Sequence, residues 1–242
     1  MNINYQILNF DIEKVKDIDK KKKIKRIIIG DFSCIKRVNL FLKKDFLEKI
    51  SNLNKEIYLQ LPLVVKENQF ELFKRVIKRV SEYFNGYVTG DLGCVKYLNS
   101  KGFNKIIYTA NVTNKEFSKY LKGNHKIELI RPLMYKRTYI KEEVNFDKDI
   151  IIYGNFMINC ATFCFHSERD LVENCKFNCK KEKELIMSNE LLYLIGRSLI
   201  TDNRLDLINE INTIKDLKSL TVYDSNLKKK EINEVLGRIS KK

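Results

Sequence analysis

The chain has 242 residues, of which 46 are lysine or arginine and 31 are aspartate or glutamate, so its formal net charge is +15. No apolar run approaches the roughly eighteen residues that a membrane span needs, and acidic residues stand near the N-terminus where a secretory signal would be cationic and then apolar. These features predict a cytoplasmic protein without a membrane span and disfavour disulfides. The lysine excess makes RNA a possible partner. A merely solvated surface is the open alternative.

Strand-like and helix-like segments alternate from residue 24 to about residue 136. Short β-branched runs predict strands at 24–32, 56–65, 86–91, 104–112 and 126–137. Amphipathic segments between them predict helices at 35–54, 69–84, 92–102 and 113–123. Such alternation favours right-handed βαβ units and a parallel sheet, either open or closed into a barrel. Chemistry in these sheets gathers at the carboxyl ends of the strands.

The pattern changes after about residue 143. A strand at 147–163 leads into a cysteine-rich loop, and 183–198 predicts two β segments with a turn near Ser188 and Asn189. The remaining elements are a helix at 202–214, a strand at 217–225 and a helix at 228–239. We therefore predict the α/β class: a single domain over residues 1–242 built on a parallel (β/α) barrel-like sheet. This sheet would be an incomplete or distorted TIM-type barrel with a cysteine-rich insertion at about 156–182.

Four of the six cysteines lie in the segment CATFCFHSERDLVENCKFNC, at Cys160, Cys164, Cys175 and Cys179. Structural zinc sites usually have tighter cysteine pairs, although this spacing does not exclude zinc. A nucleophilic cysteine with His166 as its base is disfavoured, because His166 lies two residues from Cys164 in the same loop. Zinc, an iron–sulfur cluster and, less favoured, disulfides remain open from the residues alone.

Three residues outside that segment bear on the site. Cys34 comes directly after the first predicted buried strand, where a barrel would place its chemistry; a small buried hydrophobe at a strand–helix junction is the alternative. Asp91 ends another predicted strand and would lie at the same edge, either lining a cavity there or capping the helix that follows. Cys94 is predicted to be a buried residue of that helix.

Several segments together resemble the short, UbiV-like branch of the collagenase-like peptidase family U32. They are IIIGDFSCIKR at 27–37, VTGDLGCVKYL at 88–98, YGNFMINCATFCFHSERD at 153–170 and ENCKFNC at 173–179. The resemblance covers about residues 24 to 225 and is most specific in the cysteine segments. Asn155 stands where family members commonly have a histidine.

The resemblance implies that Cys34, Cys164, Cys175 and Cys179 ligate one [4Fe–4S] cluster, with zinc as the alternative metal. It also implies that Cys160 is not a ligand. Lysine and arginine residues close in sequence to these ligands, namely Lys36, Arg37 and Lys176, would favour the thiolate state and offset the negative charge of a cluster.

The same resemblance implies oxygen-independent hydroxylation, of an RNA base in some branches and of an aromatic quinone precursor in others. A second U32-family subunit is the possible partner. A U32-type peptidase is one alternative, although the sequence shows no acid dyad, HExxH or Ser-His-Asp pattern. A non-catalytic cluster- or zinc-binding scaffold is the other. No catalytic residue is assigned.

Overall fold

The computed structural model describes residues 1–30, 34–109, 115–131, 148–160, 183–187, 190–195, 198–214 and 217–242. Strands and helices alternate along most of this part of the chain. The strands are β1 (Asn2–Ile7), β2 (Ile24–Ile29), β3 (Glu56–Gln60), β4 (Gly86–Thr89), β5 (Ile106–Thr109), β6 (Leu129–Arg131), β7 (Lys148–Cys160), β8 (Lys183–Met187), β9 (Glu190–Ile195), β10 (Ser198–Asp206) and β11 (Leu217–Asp224). The helices are α1 (Ile12–Asp19), α2 (Ile35–Phe41), α3 (Lys44–Ser51), α4 (Glu67–Val80), α5 (Leu92–Ser100), α6 (Lys115–Asn124) and α7 (Lys229–Ile239), and a 3-10 helix covers Ile208–Thr213.

These strands belong to one sheet of 11 strands, in the order β11-β1-β2-β3-β4-β5-β6-β7-β10-β9-β8. Neighbours from β1 to β7 pair in parallel. β11 pairs in parallel with β1 and also with β7. β10, β9 and β8 continue from β7 as antiparallel strands. The α/β class predicted from the sequence is confirmed, with a large and mostly parallel sheet.

The N-terminal segment forms a strand and a helix, β1 and α1, that the sequence prediction omitted. Ile3, Tyr5 and Ile7 pack into the main core, while Asn4 and Gln6 alternate with them and are also fully buried. Alternating apolar and polar residues usually indicate a strand with one face in water. Here the second face is buried as well. Because β1 is the first parallel strand, the strand that begins at residue 24 is the second.

The sheet has two buried faces. Its outer face packs against the helices: Ile27 and Ile29 of β2 share one large core with residues such as Phe73 and Val80 of α4. Residues of the inner face, opposite the helices, form a small separate apolar cluster. Its members are Ile28, Tyr58, Val88, Ile107 and Leu129. Burial on both faces explains why the parallel strands read as β-branched runs.

Two predicted helices differ from the structure. The segment 35–54 divides into α2 and α3, because the buried Leu42 adopts a non-helical backbone (φ −80°, ψ 62°). The segment 202–214 continues β10 as far as Asp206, whose carboxylate accepts a hydrogen bond from the Ile208 N–H (3.2 Å) and begins the 3-10 helix. The predicted β segments at 183–198 are confirmed as a hairpin, with Met187 opposite Glu190.

Candidate functional site

Cys34 and Asp91 lie at one edge of the sheet. Cys34 follows β2 and Asp91 follows β4, and both strands pair in parallel with β3 between them. The carboxyl ends of the three strands therefore face the same way. The predicted placement of the two residues on one edge is confirmed, and we call it the C-terminal edge.

The carboxylate of Asp91 binds backbone groups of two elements. Its Oδ1 accepts a hydrogen bond from the Cys94 N–H (3.1 Å), which makes Asp91 the N-cap of α5. Its Oδ2 accepts from the Val65 N–H (2.9 Å) in the segment between β3 and α4. Both oxygens are thus engaged with backbone donors. The structure supports the capping interpretation of Asp91 and not a cavity-lining role.

The two described cysteine side chains differ sharply in their surroundings. Cys34 is the N-cap residue of α2, has an extended backbone (φ −161°, ψ 154°) and is partly exposed. Cys94 is fully buried in the main core. Burial, with the nearby Asp91 carboxylate, raises the pKa of the Cys94 thiol well above its ordinary value. Cys94 therefore suits a buried hydrophobe, while Cys34 is accessible at the C-terminal edge.

The other implied ligands, Cys164, Cys175 and Cys179, lie outside the described residues, as do His166 and Lys176. Cys160 is the last residue of β7. Of the basic residues implied to be near the ligands, Arg37 is buried, and its guanidinium lies 4.9 Å from the centre of the Phe41 ring. Lys36 is partly exposed.

An antiparallel extension of the sheet covers part of the C-terminal edge. The first half of β7 pairs with β11 as far as Gly154, and the second half pairs with β10 as far as Cys160. We call residues 155–160 of β7 together with β8, β9 and β10 the flap. Its side chains Met157, Ile200 and Tyr193 pack in one apolar cluster with residues at the ends of parallel strands. These are Leu8 after β1, Leu63 after β3 and Tyr223 of β11. The flap therefore lies over the C-terminal edge, and the cysteine-rich segment follows β7 from within it.

Asn155 fixes the point at which β7 leaves the parallel strands. Its Nδ2 donates to the carbonyls of Thr201 (2.9 Å) and Asp202 (3.0 Å), where the pairing of β10 with β7 shifts register. Its Oδ1 accepts from the Ser225 hydroxyl (2.7 Å). The side chain is fully buried. Asn155 therefore has an anchoring role at this point of the fold.

The inner face carries a buried polar network that the sequence analysis missed. Arg131 Nε donates to Asp149 Oδ2 (2.7 Å), its Nη1 to Gln6 Oε1 (2.8 Å) and its Nη2 to Thr221 Oγ1 (3.0 Å). Asp149 Oδ1 accepts from Asn4, Ser219 and Thr221 at 2.9 to 3.1 Å. Polar residues at alternate positions of β1 and β11 were the available signal.

Both oxygens of the Asp149 carboxylate are thus occupied by protein donors. The arrangement joins four strands, β1, β6, β7 and β11, and offers no open carboxylate to a metal ion. More generally, no three histidine, cysteine, aspartate or glutamate side chains converge as metal ligands within the residues that the structure describes. Three of the four implied cluster ligands are not among those residues.

No protein-family model matches the chain, and neither a curated protein nor a solved structure matches it significantly. The resemblance to family U32 therefore stays a prediction based on the motifs quoted above. In the described parts of the chain, no helix combines the length and the apolar character needed to cross a bilayer.

Proposed function

We propose that the chain is an iron–sulfur protein of the U32 type, in which Cys34, Cys164, Cys175 and Cys179 hold one [4Fe–4S] cluster at the C-terminal edge. It acts in oxygen-independent hydroxylation of an RNA base or an aromatic quinone precursor, together with a second U32-family subunit. When bound, the cluster supplies one-electron transfer. A cytoplasmic location fits ligands that must stay reduced.

One observation carries the cluster proposal: the chain direction of β7. β2 and β7 belong to the same series of parallel strands, so both run toward the C-terminal edge. The cysteine-rich segment that follows β7 thus starts on the side of the sheet where Cys34 lies. Had β7 run the other way, that segment would start at the opposite edge of the sheet, a full strand length away from Cys34.

The character of Cys34 supports its role as a ligand. Cluster ligands are thiolates, and thiolates form most readily at accessible sites near positive charge. Cys34 is partly exposed, with Lys36 and Arg37 in the helix that begins beside it. Cys94 has neither property, since it is fully buried and its thiol pKa is raised by burial.

A distorted TIM-type barrel is part of the same proposal. It is supported by the double pairing of β11 with β1 and β7, and by the core that the helices form on the outer face. In barrels of this type the reacting groups lie at the carboxyl ends of the strands. That is the edge at which Cys34 lies and which the flap partly covers.

Anaerobic purification followed by iron, acid-labile sulfide and zinc assays tests the proposal. We expect about four iron and four sulfide per chain, as a cubane cluster requires, with a broad visible absorption that reduction bleaches. Stoichiometric zinc without sulfide would show that the cysteines hold zinc and not an iron–sulfur cluster. Thiols without any metal would contradict both.

A further inference from the structure

Two lysine runs that are far apart in the sequence meet on one surface. β1 and β11 are neighbours, so α1 and α7 lie side by side on the outer face. Lys21 Nζ donates to Asn233 Oδ1 (2.6 Å), Lys23 Nζ donates to Ser240 Oγ, and Lys229 Nζ lies 3.4 Å from Asp17 Oδ2. We call residues 20–23, 228–230 and 241–242 the lysine face.

Much of the positive charge on this face is unpaired. On other helices, lysines pair with acids one turn away, as in Lys49–Asp45 (2.8 Å) and Lys74–Glu71 (2.6 Å). On the lysine face, by contrast, several exposed lysines have no carboxylate within ion-pair distance among the described residues. They are Lys20, Lys22, Lys228, Lys230, Lys241 and Lys242.

Nearby acids are engaged with the protein. Asp19 Oδ1 accepts from the backbone N–H groups of Asn54 and Lys55 (both 3.0 Å). Glu231 accepts from the Tyr153 hydroxyl (2.9 Å) and pairs with Arg204. Glu231 is thus paired with a cation outside the lysine face, whereas Asp19 keeps its negative charge; the lysine face still carries a concentrated share of the chain's +15 charge.

A groove of about 490 Å³ between α1 and α7 adjoins the lysine face. Lys14, Lys20, Lys21 and Lys229 line it together with two acids, and no aromatic side chain is among its lining residues. With 11 residues, α7 is about 16 Å long, so the lysines at its two ends are separated by about the length of five base pairs at 3.4 Å each.

We propose that the lysine face binds the phosphate backbone of a nucleic-acid duplex. Lysine ammonium groups neutralise phosphates without reading base edges, so the binding is independent of sequence. Single strands are disfavoured as partners, because binding them without sequence preference relies on aromatic side chains that stack on bases. The inference rests on the described lysines alone and does not require the cluster.

The test measures binding of a fluorescent RNA duplex, and of a DNA duplex of the same length, by anisotropy over a range of salt concentrations. A fourfold variant removes charge from both runs: Lys20→Gln, Lys22→Gln, Lys228→Gln and Lys230→Gln. A matched control removes the same charge from paired lysines on other helices: Lys44→Gln, Lys49→Gln, Lys74→Gln and Lys119→Gln.

We expect the intact chain to bind at least one duplex, with affinity that falls steeply as salt rises. The fourfold variant should lose more than tenfold in affinity, and its salt slope should shrink by about one for each lysine that contacts a phosphate. The control variant should keep its affinity within about threefold. Thermal unfolding checks that both variants fold.

Three results would overturn the proposal. The first is that neither duplex binds. The second is an equal loss in the two variants, which would mean that net charge alone drives binding. The third is binding to anionic phospholipid vesicles that depends on the lysine face, without binding to a duplex, which would assign the face to a membrane surface.

Discussion

Arg131 and Asp149 form an ion pair in which neither side chain is exposed. Taking two charges out of water costs several kcal/mol for each, and their attraction offsets this only when the remaining hydrogen-bonding positions are filled. Here Gln6 and Thr221 accept from the guanidinium, while Asn4 and Ser219 donate to the carboxylate. The pair is therefore tolerated because hydrogen bonds with four neighbouring side chains offset much of its desolvation cost.

Breaking this pair from one side should be far more damaging than replacing both members. We expect Arg131→Met or Asp149→Leu to lower the free energy of unfolding by about 3–5 kcal/mol, because either change leaves a buried charge or its donors without a partner. The double variant should lose clearly less than the sum. Urea unfolding measures all three, and strictly additive losses would contradict the account of the network.

A second charged group surrounds Arg26 of β2. Arg26 Nη2 donates to Glu128 (2.7 Å) and Glu56 (3.3 Å), and Lys105 donates to Glu56 (2.8 Å). Burial alone would raise the pKa of Glu56, but the Lys105 hydrogen bond and the charges of Arg26 and Lys105 hold it below its ordinary value. A lowered carboxyl pKa stabilises the folded state above the ordinary pKa, and this stability is lost as the pH falls through the folded-state pKa.

The lowered pKa of Glu56 predicts how the stability of the fold depends on pH. At neutral pH, Glu56→Gln should lower the free energy of unfolding by about 1 kcal/mol, as expected for a partly exposed ion pair. The difference from the unmodified chain should shrink below about pH 4, where the carboxyl of the unfolded chain is protonated. Unfolding titrations across this range provide the measurement. A difference that grows on acidification would show that the pKa of Glu56 is not lowered in the folded state.

At the scale of elements, the flap depends on one backbone position. Gly154 has φ +126°, and a Cβ atom there would lie 1.8 Å from the carbonyl oxygen of Tyr223 in β11. The close approach lets β7 pair with β11 and then turn into the flap. Gly237 in α7 differs, since a Cβ atom there would meet nothing within 4 Å.

This contrast predicts opposite outcomes for two similar substitutions. Gly154→Ala should destabilise the fold by at least about 3 kcal/mol, because the strands must separate and the backbone is strained. Gly237→Ala should stabilise it by about 0.5–1 kcal/mol, as expected inside a helix. Thermal unfolding compares them. Equal melting temperatures for Gly154→Ala and the unmodified chain would show that β7 does not need this close approach.

The elements that the sequence predicted correctly are those whose pattern reflects local burial. α4 and β8–β9 have clear helical or hairpin patterns. β1 was not predicted, although its alternating apolar and polar residues fit a strand; the burial of Asn4 and Gln6 in the inner network could not be read from that pattern. The second half of β10, residues 202–206, was predicted as the start of a helix at 202–214. Its pairing with β7, a distant partner in sequence, makes it a strand.

In the candidate site, too, residues whose positions depend on pairing between distant strands could not be predicted from the sequence. Asp91 and Cys34 were placed at the correct edge, since a strand–helix alternation in parallel sheets determines which way each strand points. The Arg131–Asp149 pair was not found, because its partners come from β1, β6, β7 and β11. Only the three-dimensional pairing of those strands brings them together.

For the whole molecule, the alternation of strands and helices predicts a parallel sheet but not the pairing of strands that are distant in sequence. One such pairing is that of β11, near residue 220, with both β1 and β7. The location of the positive charge likewise depends on strand pairing. The value of the net charge follows from the composition, but its concentration beside α1 and α7 follows from the adjacency of β1 and β11.

The cluster is the central claim, and the iron content of single cysteine variants tests it most directly. Cys34→Ala should lose most of its iron and sulfide after anaerobic purification, because a cluster with four thiolate ligands loses one of them. Cys160→Ala and Cys94→Ala are the matched controls and should keep the full content, Cys94 being buried in the main core. Full iron in Cys34→Ala, or an equal loss in Cys160→Ala, would contradict the account and favour a local metal site within residues 160–179.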